Sequence, residues 1–143
     1  MTIRSDAELL GMRRVGRLVA ETIARMRAAV RPGVTTAELD EIGARRAREA
    51  GARSAPQLTY GFPGFTCISV NEEIVHGVPG PRAQTVLREG LVLALEPMLA
   101  SAGARVVEEP DGWTLRTHSR VLAVHHEHTI VIRRGAPLVL TAA

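Results

Sequence analysis

Leu91 to Leu95 is the stretch that most restricts the fold, because every residue in it is apolar and it runs into Glu96-Pro97. A strand with one face in water alternates apolar and polar residues. An uninterrupted apolar run therefore predicts a strand that is covered on both faces. Proline cannot donate a ladder hydrogen bond, so the strand is expected to end at Pro97. The last side chain before that end is the carboxylate of Glu96.

The order of the predicted elements indicates an α+β fold. Apolar residues recur every three or four positions through segments 5–30 and 36–50, which predicts two helices. Segment 55–65 contains two prolines, two glycines and three aromatic residues, and we expect a loop there that lies against the core. The predicted strands cover residues 66–70, 91–95, 104–107, 113–116, 123–132 and 138–140. Two N-terminal helices and an antiparallel sheet would form one domain over residues 1–143.

Composition excludes several classes of protein. The chain has 143 residues and a net charge of +3, and its arginines are scattered with no run longer than two. This pattern argues against binding to nucleic acid. A single cysteine excludes an intramolecular disulfide and fits a reducing compartment. No apolar run approaches the length of a membrane span. We therefore expect a cytoplasmic protein with no nucleic-acid or membrane partner.

His76 follows the predicted strand 66–70 and is itself followed by Gly77 and Pro79, which mark a turn. A histidine at the edge of a loop is able to reach a functional site. The alternative is that His76 only satisfies its hydrogen bonds within the turn. A second candidate, Glu127, is embedded in the apolar strand 123–132, and this isolated carboxylate needs an explanation.

Three segments in sequence order carry a resemblance to a known family. They read Asn-Glu-Glu-Ile-Val-His-Gly-Val-Pro at 71–79, Leu-Ala-Leu-Glu-Pro-Met at 93–98 and Glu-His-Thr-Ile-Val-Ile at 127–132. Together they are similar to the methionine aminopeptidases, and the resemblance runs from about Leu9 to the C-terminus. It implies a truncated pita-bread fold, of the creatinase/aminopeptidase type. It also implies removal of methionine from the N-terminus of peptides or nascent chains, with a divalent cofactor such as Co, Mn, Fe or Zn.

The resemblance also implies roles for individual residues. Glu96 and Glu127 match the two glutamate metal ligands of the family, and His76 matches a histidine that contacts the substrate. The candidates for the pocket of the methionine side chain are Tyr60, Phe62, Cys67 and Trp113. As a lone cysteine in an apolar strand, Cys67 is alternatively a plain core residue.

Two aspartate ligands and one histidine ligand of the family have no counterpart in this chain. The chain passes directly from Pro79 to Leu87, so a family segment is expected to be missing between about residues 80 and 87. His125 lies two residues before Glu127 and would share its face of a strand. Glu96, Glu127 and His125 would then form a mononuclear metal site. The alternative is that His125 is an incidental polar residue at a strand edge.

The incomplete ligand set leaves two hypotheses for function. The first is a methionine aminopeptidase relative whose activity is impaired or absent. The second is a non-catalytic remnant that binds peptide N-termini or a protein partner. Loss of the block would also uncover part of the sheet, and exposed apolar sheet is normally buried by association. This predicts a homodimer.

Overall fold

The computed structural model describes residues 5–71, 76–79, 86–101, 105–108, 110, 115–117 and 122–141. The helices in this part of the chain are α1 (Asp6–Ala29), α2 (Thr36–Glu49) and α3 (Ala55–Tyr60). The strands are β1 (Arg53–Ser54), β2 (Cys67–Val70), β3 (Val92–Glu96), β4 (Met98–Ala100), β5 (Val106–Glu108), β6 (Leu115–Thr117), β7 (Ala123–His125), β8 (His128–Val131) and β9 (Leu138–Val139). None of the helices in these ranges combines the length and the hydropathy needed to span a bilayer.

The start and the end of α2 follow directly from the sequence. The Thr35 hydroxyl accepts from the Glu38 N–H at 3.2 Å, and the Glu38 carboxylate accepts from the Thr35 N–H at 2.8 Å. This reciprocal capping box satisfies two donors that the helix cannot satisfy internally. Beyond the other end, Gly51 has a φ of 70°, a conformation that glycine adopts without steric cost. The predicted boundaries of the second helix are confirmed.

Segment 55–65 is not only a loop, because α3 occupies its first half. Ser54 caps this helix by accepting from the Gln57 N–H at 3.4 Å, and Pro56 occupies the first turn, where a missing N–H costs nothing. Gly61 ends the helix in the left-handed conformation, with a φ of 62°. The prediction of an irregular segment was wrong here. Its glycines and prolines act as helix boundary signals rather than as loop signals.

All strand pairs are antiparallel, as predicted. They form a four-stranded sheet (β2-β3-β8-β9), a three-stranded sheet (β1-β4-β7) and a two-stranded sheet (β5-β6). The prediction of a single strand over 123–132 was wrong, because this segment divides into β7 and β8 in different sheets. The division lies opposite Pro97, which separates β3 from β4 and has no N–H to donate. Even so, the register continues across the division, with Leu95 opposite His128 and Met98 opposite His125.

The core lies between the two long helices and one face of the sheets. Buried residues of α1, such as Met26, pack with Leu39 of α2 and with Leu93 and Leu95 of β3. A second cluster joins the same helices to Leu99 of the three-stranded sheet. The four-stranded sheet and the three-stranded sheet therefore each place one face against α1 and α2. The other face of β3, β4 and β7 carries Glu96, Met98 and His125.

Among the described residues, the apolar run 91–95 is well covered on one face and only partly covered on the other. Leu93 and Leu95 are fully buried, whereas Val92 on the opposite face is 37% exposed. Val92 lies opposite Val131, which lies opposite Leu138, and Leu138 is 44% exposed. Among the described residues, this face therefore lacks the cover that an apolar run favours, as expected for part of the sheet. We call the row of Val92, Val131 and Leu138 the open apolar row.

Candidate functional site

A pocket of about 370 Å³ lies on the sheet face that is turned away from the long helices. Its chemically reactive side chains are Tyr60, His76, Glu96 and His125. Most of the remaining wall is apolar and comes from α3, β4, β5 and β7. An apolar pocket with a few convergent polar groups is the usual form of a small-ligand site. The four reactive residues come from distant parts of the sequence, and the fold brings them together.

His76 is held in place by the backbone of the residue that follows it. The Ile68 N–H donates to the Gly77 carbonyl oxygen at 3.0 Å, and the Gly77 N–H donates to the Ser69 hydroxyl at 3.1 Å. These bonds fix the segment against β2. His76 itself has a φ of 59°, which is uncommon for a residue with a side chain. The surrounding structure therefore holds the backbone of His76 in a conformation that a free loop would rarely adopt.

A close contact between Gly64 and Pro79 anchors the other end of the same segment. A Cβ atom added to Gly64 would lie 2.6 Å from the Pro79 Cγ and 2.8 Å from its Cδ, which is closer than real Cβ contacts. A glycine is therefore required at position 64 for the proline ring to pack there. The segment 76–79 is thus attached both to β2 and to the loop that precedes it.

Tyr60 reaches the pocket from the last position of α3. Its ring lies beside the His76 imidazole, with 6.4 Å between ring centroids and 36° between ring planes. The tyrosine remains 50% exposed, so its ring forms an accessible wall of the pocket. Burial, followed by the negative charge of Glu96, raises the pKa of the Tyr60 phenol above its ordinary value. The phenol is therefore a neutral hydrogen-bonding group at physiological pH.

Glu96 is the last residue of β3, and its side chain lies on the pocket side of the sheet. Partial burial raises the pKa of its carboxyl, and the charge of Glu127 raises it further. His125 and His76 act in the opposite direction, because a nearby imidazolium favours the carboxylate. The constant register across Pro97 leaves Glu96 opposite Glu127. Residues opposite each other in an antiparallel pair have Cβ atoms about 5 Å apart, so the two carboxylates repel each other.

His125 lines the pocket, whereas Glu127 does not belong to its wall. Both residues are exposed. Since His125 lies opposite Met98 and Glu127 lies opposite the Glu96 position, the regular alternation of a strand would place them on one face. Glu127 itself lies between two strands, so the shared face of His125 and Glu127 stays a prediction. Whether the two side chains bind one ligand together stays a prediction.

The remaining predicted pocket residues have different positions. Cys67 lies opposite Glu96 in the ladder, so both side chains are on one face of the sheet, but Cys67 is buried and is not among the residues that line the pocket. Burial raises the pKa of its thiol. Phe62 is half-buried and is also outside the pocket wall. Trp113 lies outside the described residues. Of the three candidates that the structure describes, Tyr60 lines this pocket.

The described residues do not fit the family's metal centre. Among them, no three histidine, cysteine, aspartate or glutamate side chains lie close enough together to hold one ion. What the site offers is a pair of facing carboxylates flanked by two imidazoles. Such an arrangement attracts a cation without surrounding it. An ammonium group, which needs only a few acceptors, fits this donor set better than a divalent metal does.

Sequence reasoning missed the pocket wall formed by Met98, Val106 and Thr59. One signal for Met98 was available, because residues two apart on an extended chain share a face. Met98 follows Glu96 at this spacing, with Pro97 between them. No local pattern indicates Val106 or Thr59, which reach the pocket through tertiary packing.

Comparison with known families gives one match over the first part of the chain. The profile described as metallopeptidase family M24 matches residues 11–84. This range includes Tyr60 and His76 but ends before Glu96. The family match therefore covers slightly more than half of the chain, and the two candidate carboxylates lie outside it.

Two curated relatives extend this comparison. "Methionine aminopeptidase" of Staphylococcus epidermidis is 48% identical over 90 residues, which are 63% of this chain and 35% of the relative. The chain thus spans about a third of that protein's length. "Methionine aminopeptidase 2" of Bacillus subtilis is 24% identical over 247 residues, covering 99% of both chains. Because this chain has only 143 residues, that alignment includes a long stretch without a counterpart here.

Solved structures agree on the fold. The methionine aminopeptidase of Rickettsia prowazekii has a TM-score of 0.53 and 18% identity, covering 99% of this chain and 100% of the other. A methionine aminopeptidase from Streptococci has a TM-score of 0.63 and 19% identity, covering 92% and 50%. The prolidase of Pyrococcus furiosus has a TM-score of 0.60 and 23% identity, covering 92% and 32%. The predicted pita-bread fold is confirmed, in a truncated form.

Proposed function

The chain belongs to metallopeptidase family M24, and we propose that it binds the N-terminus of a peptide or nascent chain while the metal-dependent removal of methionine is impaired or absent. The peptide ammonium would lie between Glu96 and Glu127. Its first side chain would occupy the apolar part of the pocket, and His76 would contact the first peptide group. Tyr60 would cover this group with its ring.

One observation carries this proposal. Tyr60, His76, Glu96 and His125 line a single pocket whose other walls are mainly apolar, and a second carboxylate lies opposite Glu96. A pocket of about 370 Å³ is large enough for one amino-acid residue with an unbranched apolar side chain. The charges favour a cationic end group, and the apolar wall favours a side chain such as that of methionine.

The alternative is retained catalysis at a mononuclear metal site. Glu96, Glu127 and His125 would hold one divalent ion, for which Co, Mn, Fe and Zn are the candidates. Carboxylate and imidazole ligands suit these metals. The convergence of Glu96 and His125 on one pocket supports this alternative. The lack of a three-residue ligand cluster among the described residues argues against it.

The shortened chain explains why binding without catalysis is the favoured function. We propose that all 143 residues form one truncated domain, and that the family segment between about residues 80 and 87 is missing. The long unmatched stretch in the alignment with the B. subtilis relative supports this. The missing segment would be the one that supplies the three absent ligands.

We further propose that two copies associate through the open apolar row. The exposure of Val92 and Leu138 on one face of the four-stranded sheet supports this. A two-fold axis through the row would place the same residues of both copies together. We assign the protein to the cytoplasm, because its single cysteine fits a reducing compartment and nascent chains are available there.

Calorimetric titration with a Met-Ala-Ser peptide tests the binding function. Binding is expected in the presence of EDTA, and N-acetylation of the peptide should abolish it. Glu96→Gln should weaken binding by about tenfold, since a hydrogen bond to a charged group contributes about 1.5 to 3 kcal/mol. Glu108→Gln, an exposed carboxylate on β5, is the matched control and should have no effect. Equal binding of the acetylated peptide would refute the role of the ammonium group.

Release of free methionine from the same peptide tests the alternative. Millimolar Co, Mn, Fe or Zn would be added, and the melting temperature would be followed in parallel. An ion that binds only the folded state raises the melting temperature. Turnover that is lost in both Glu96→Gln and Glu127→Gln would establish the mononuclear enzyme. If the protein shows no turnover and no peptide binding, both functions are refuted.

A further inference from the structure

A second pocket, of about 590 Å³, lies between α1, the end of α2 and the end of β4. It shares no lining residue with the candidate site. Four arginines line it, namely Arg13, Arg14, Arg17 and Arg46. Its one acidic lining residue is Glu21. Nothing in the proposed function uses this pocket or explains its charge.

The three arginines of α1 that line the pocket are placed on one side of the helix by their spacing. Positions 13, 14 and 17 are three or four residues from one another or from Glu21, and side chains at these spacings are neighbours on a helix surface. All three arginines are exposed. Among the described residues, Arg13 and Arg14 form no ion pair. Their positive charges are therefore available to a ligand.

Arg46 adds a paired charge to the pocket wall. One of its terminal nitrogens, Nη2, lies 2.5 Å from the Glu21 Oε2, and its side chain is only 19% exposed. Arg46 is therefore held at the wall by its ion pair with Glu21 and adds no free charge to the pocket.

Charge balance determines which kind of ligand this pocket would take. Arg46 and Glu21 neutralise each other, so Arg13, Arg14 and Arg17 give the pocket an excess of positive charge. The planar guanidinium group matches the geometry of phosphate oxygens and often binds them in pairs. We propose that this pocket binds a small phosphate-bearing anion, such as a polyphosphate or a phosphate monoester.

Calorimetric titration of the full chain with inorganic pyrophosphate in 150 mM NaCl tests this proposal. One site per chain is expected. The double variant Arg14→Gln/Arg17→Gln should weaken binding at least tenfold. The control Arg45→Gln, an exposed arginine of α2 outside the pocket, should change it less than twofold. The melting temperature of each variant would show that the fold is intact, and Arg46 is left unchanged because it is paired with Glu21.

Three results would overturn the proposal. The first is no binding at millimolar pyrophosphate. The second is equal weakening in the double variant and in the Arg45 control, which would indicate only general attraction to a chain of net charge +3. The third is much tighter binding of a twelve-nucleotide single-stranded RNA with the same dependence on Arg14 and Arg17. That outcome would assign the pocket to a polynucleotide backbone instead of a small anion.

Discussion

Glu96 and Glu127 face each other at the interruption, residues 96–97 opposite 126–127, of the ladder that β3 and β4 form with β8 and β7. The pairs Leu95–His128 and Met98–His125 lie on either side of this position and share one register. The carboxylates therefore meet where Pro97 prevents backbone pairing. Like charges placed directly opposite each other destabilise a sheet. This arrangement costs stability, which is typical of residues kept for binding rather than for folding.

Glu96→Gln should stabilise the protein at neutral pH. Burial and the charge of Glu127 raise the pKa of Glu96 above its ordinary value of 4.5. A carboxyl whose folded pKa is raised contributes stability below its unfolded pKa, and this contribution is lost as the pH rises through the folded pKa. The variant should melt about 1 to 3 °C higher at pH 7, a small shift because the site is partly solvated.

Melting curves of the wild type and of Glu96→Gln between pH 3.5 and 8 would check the sign. The difference in melting temperature should be smallest below pH 4.5 and should grow as the pH rises from that value through the raised folded pKa. Glu108→Gln serves as the control, with no trend expected. A variant that melts below the wild type at pH 7 would show that Glu96 is stabilising, contrary to the repulsion inferred here.

Gly64→Ala should weaken peptide binding by displacing the segment that carries His76. The added methyl group would lie 2.6 Å from the Pro79 ring, which cannot rotate away. Overpacking of this kind costs about 1 to 3 kcal/mol. Gly16→Ala is a matched control, because nothing lies within 4 Å of its added Cβ. That control should stabilise α1 by about 0.5 to 1 kcal/mol, and urea unfolding together with peptide titration would separate the two effects.

Asp40→Ala should destabilise the fold by about 2 to 4 kcal/mol, since it leaves buried donors unpaired. The Asp40 carboxylate accepts from the Phe65 N–H at 2.9 Å, from the Thr66 N–H at 2.7 Å and from the Thr66 hydroxyl at 2.8 Å. These bonds attach α2 to the start of β2. The neighbouring variant Glu41→Ala, which breaks an exposed ion pair with Arg48, should cost less than about 0.5 kcal/mol. Equal losses in the two variants would contradict this role of Asp40.

Trp113 is the only tryptophan of the chain, so its fluorescence reports on one position. If Trp113 contributes to the pocket as the resemblance implies, methionine or a methionine-containing peptide should change its emission. Tyr60→Ala, which removes a pocket wall, should weaken the response. An emission spectrum that does not change at saturating peptide would show that Trp113 does not contribute to the pocket.

Leu138→Lys should convert a dimer into a monomer. A lysine in the open apolar row would place two like charges at a two-fold interface, at a cost of several kcal/mol. Because Leu138 is already 44% exposed, the fold itself should lose little. Leu9→Lys, which replaces an exposed apolar residue of α1 outside the row, should leave the mass unchanged. Light scattering at micromolar concentration would measure the mass of the wild type and of both variants. A monomeric wild type would refute the association.

The sequence predicted those features that local chemistry controls. Thr35 with Glu38 indicated the start of α2, and Pro97 indicated the end of β3, as found. The division of segment 123–132 between two sheets could not be predicted, because it depends on which segments pair over long distances. The apolar character of Val92 predicted a need for cover, and part of the sheet was expected to lack it. Local pattern indicates that such a residue prefers cover, but not whether its own chain provides it.

For the candidate site, the carboxylates and His76 could be found through a resemblance of short segments, whereas their arrangement required coordinates. Tyr60 was predicted as part of a loop, yet it reaches the pocket because Ser54 and Gly61 delimit a short helix. Cys67 was predicted in the pocket, and the β2–β3 register does place it beside Glu96, but its side chain is buried and does not line the pocket. Side-chain access depends on register and on neighbouring elements, which a single sequence does not specify.

The constant register on both sides of Pro97 has an evolutionary consequence. Both carboxylates lie between two ladder pairs of one register, and their opposition depends only on the number of residues between those pairs. A deletion elsewhere, for example between Pro79 and Val86, leaves the pair facing each other. Insertion of one residue beside Glu96 would instead turn a carboxylate toward the helices, because strand side chains alternate. The carboxylate pair can therefore be inherited intact by chains that have lost much of the surrounding domain.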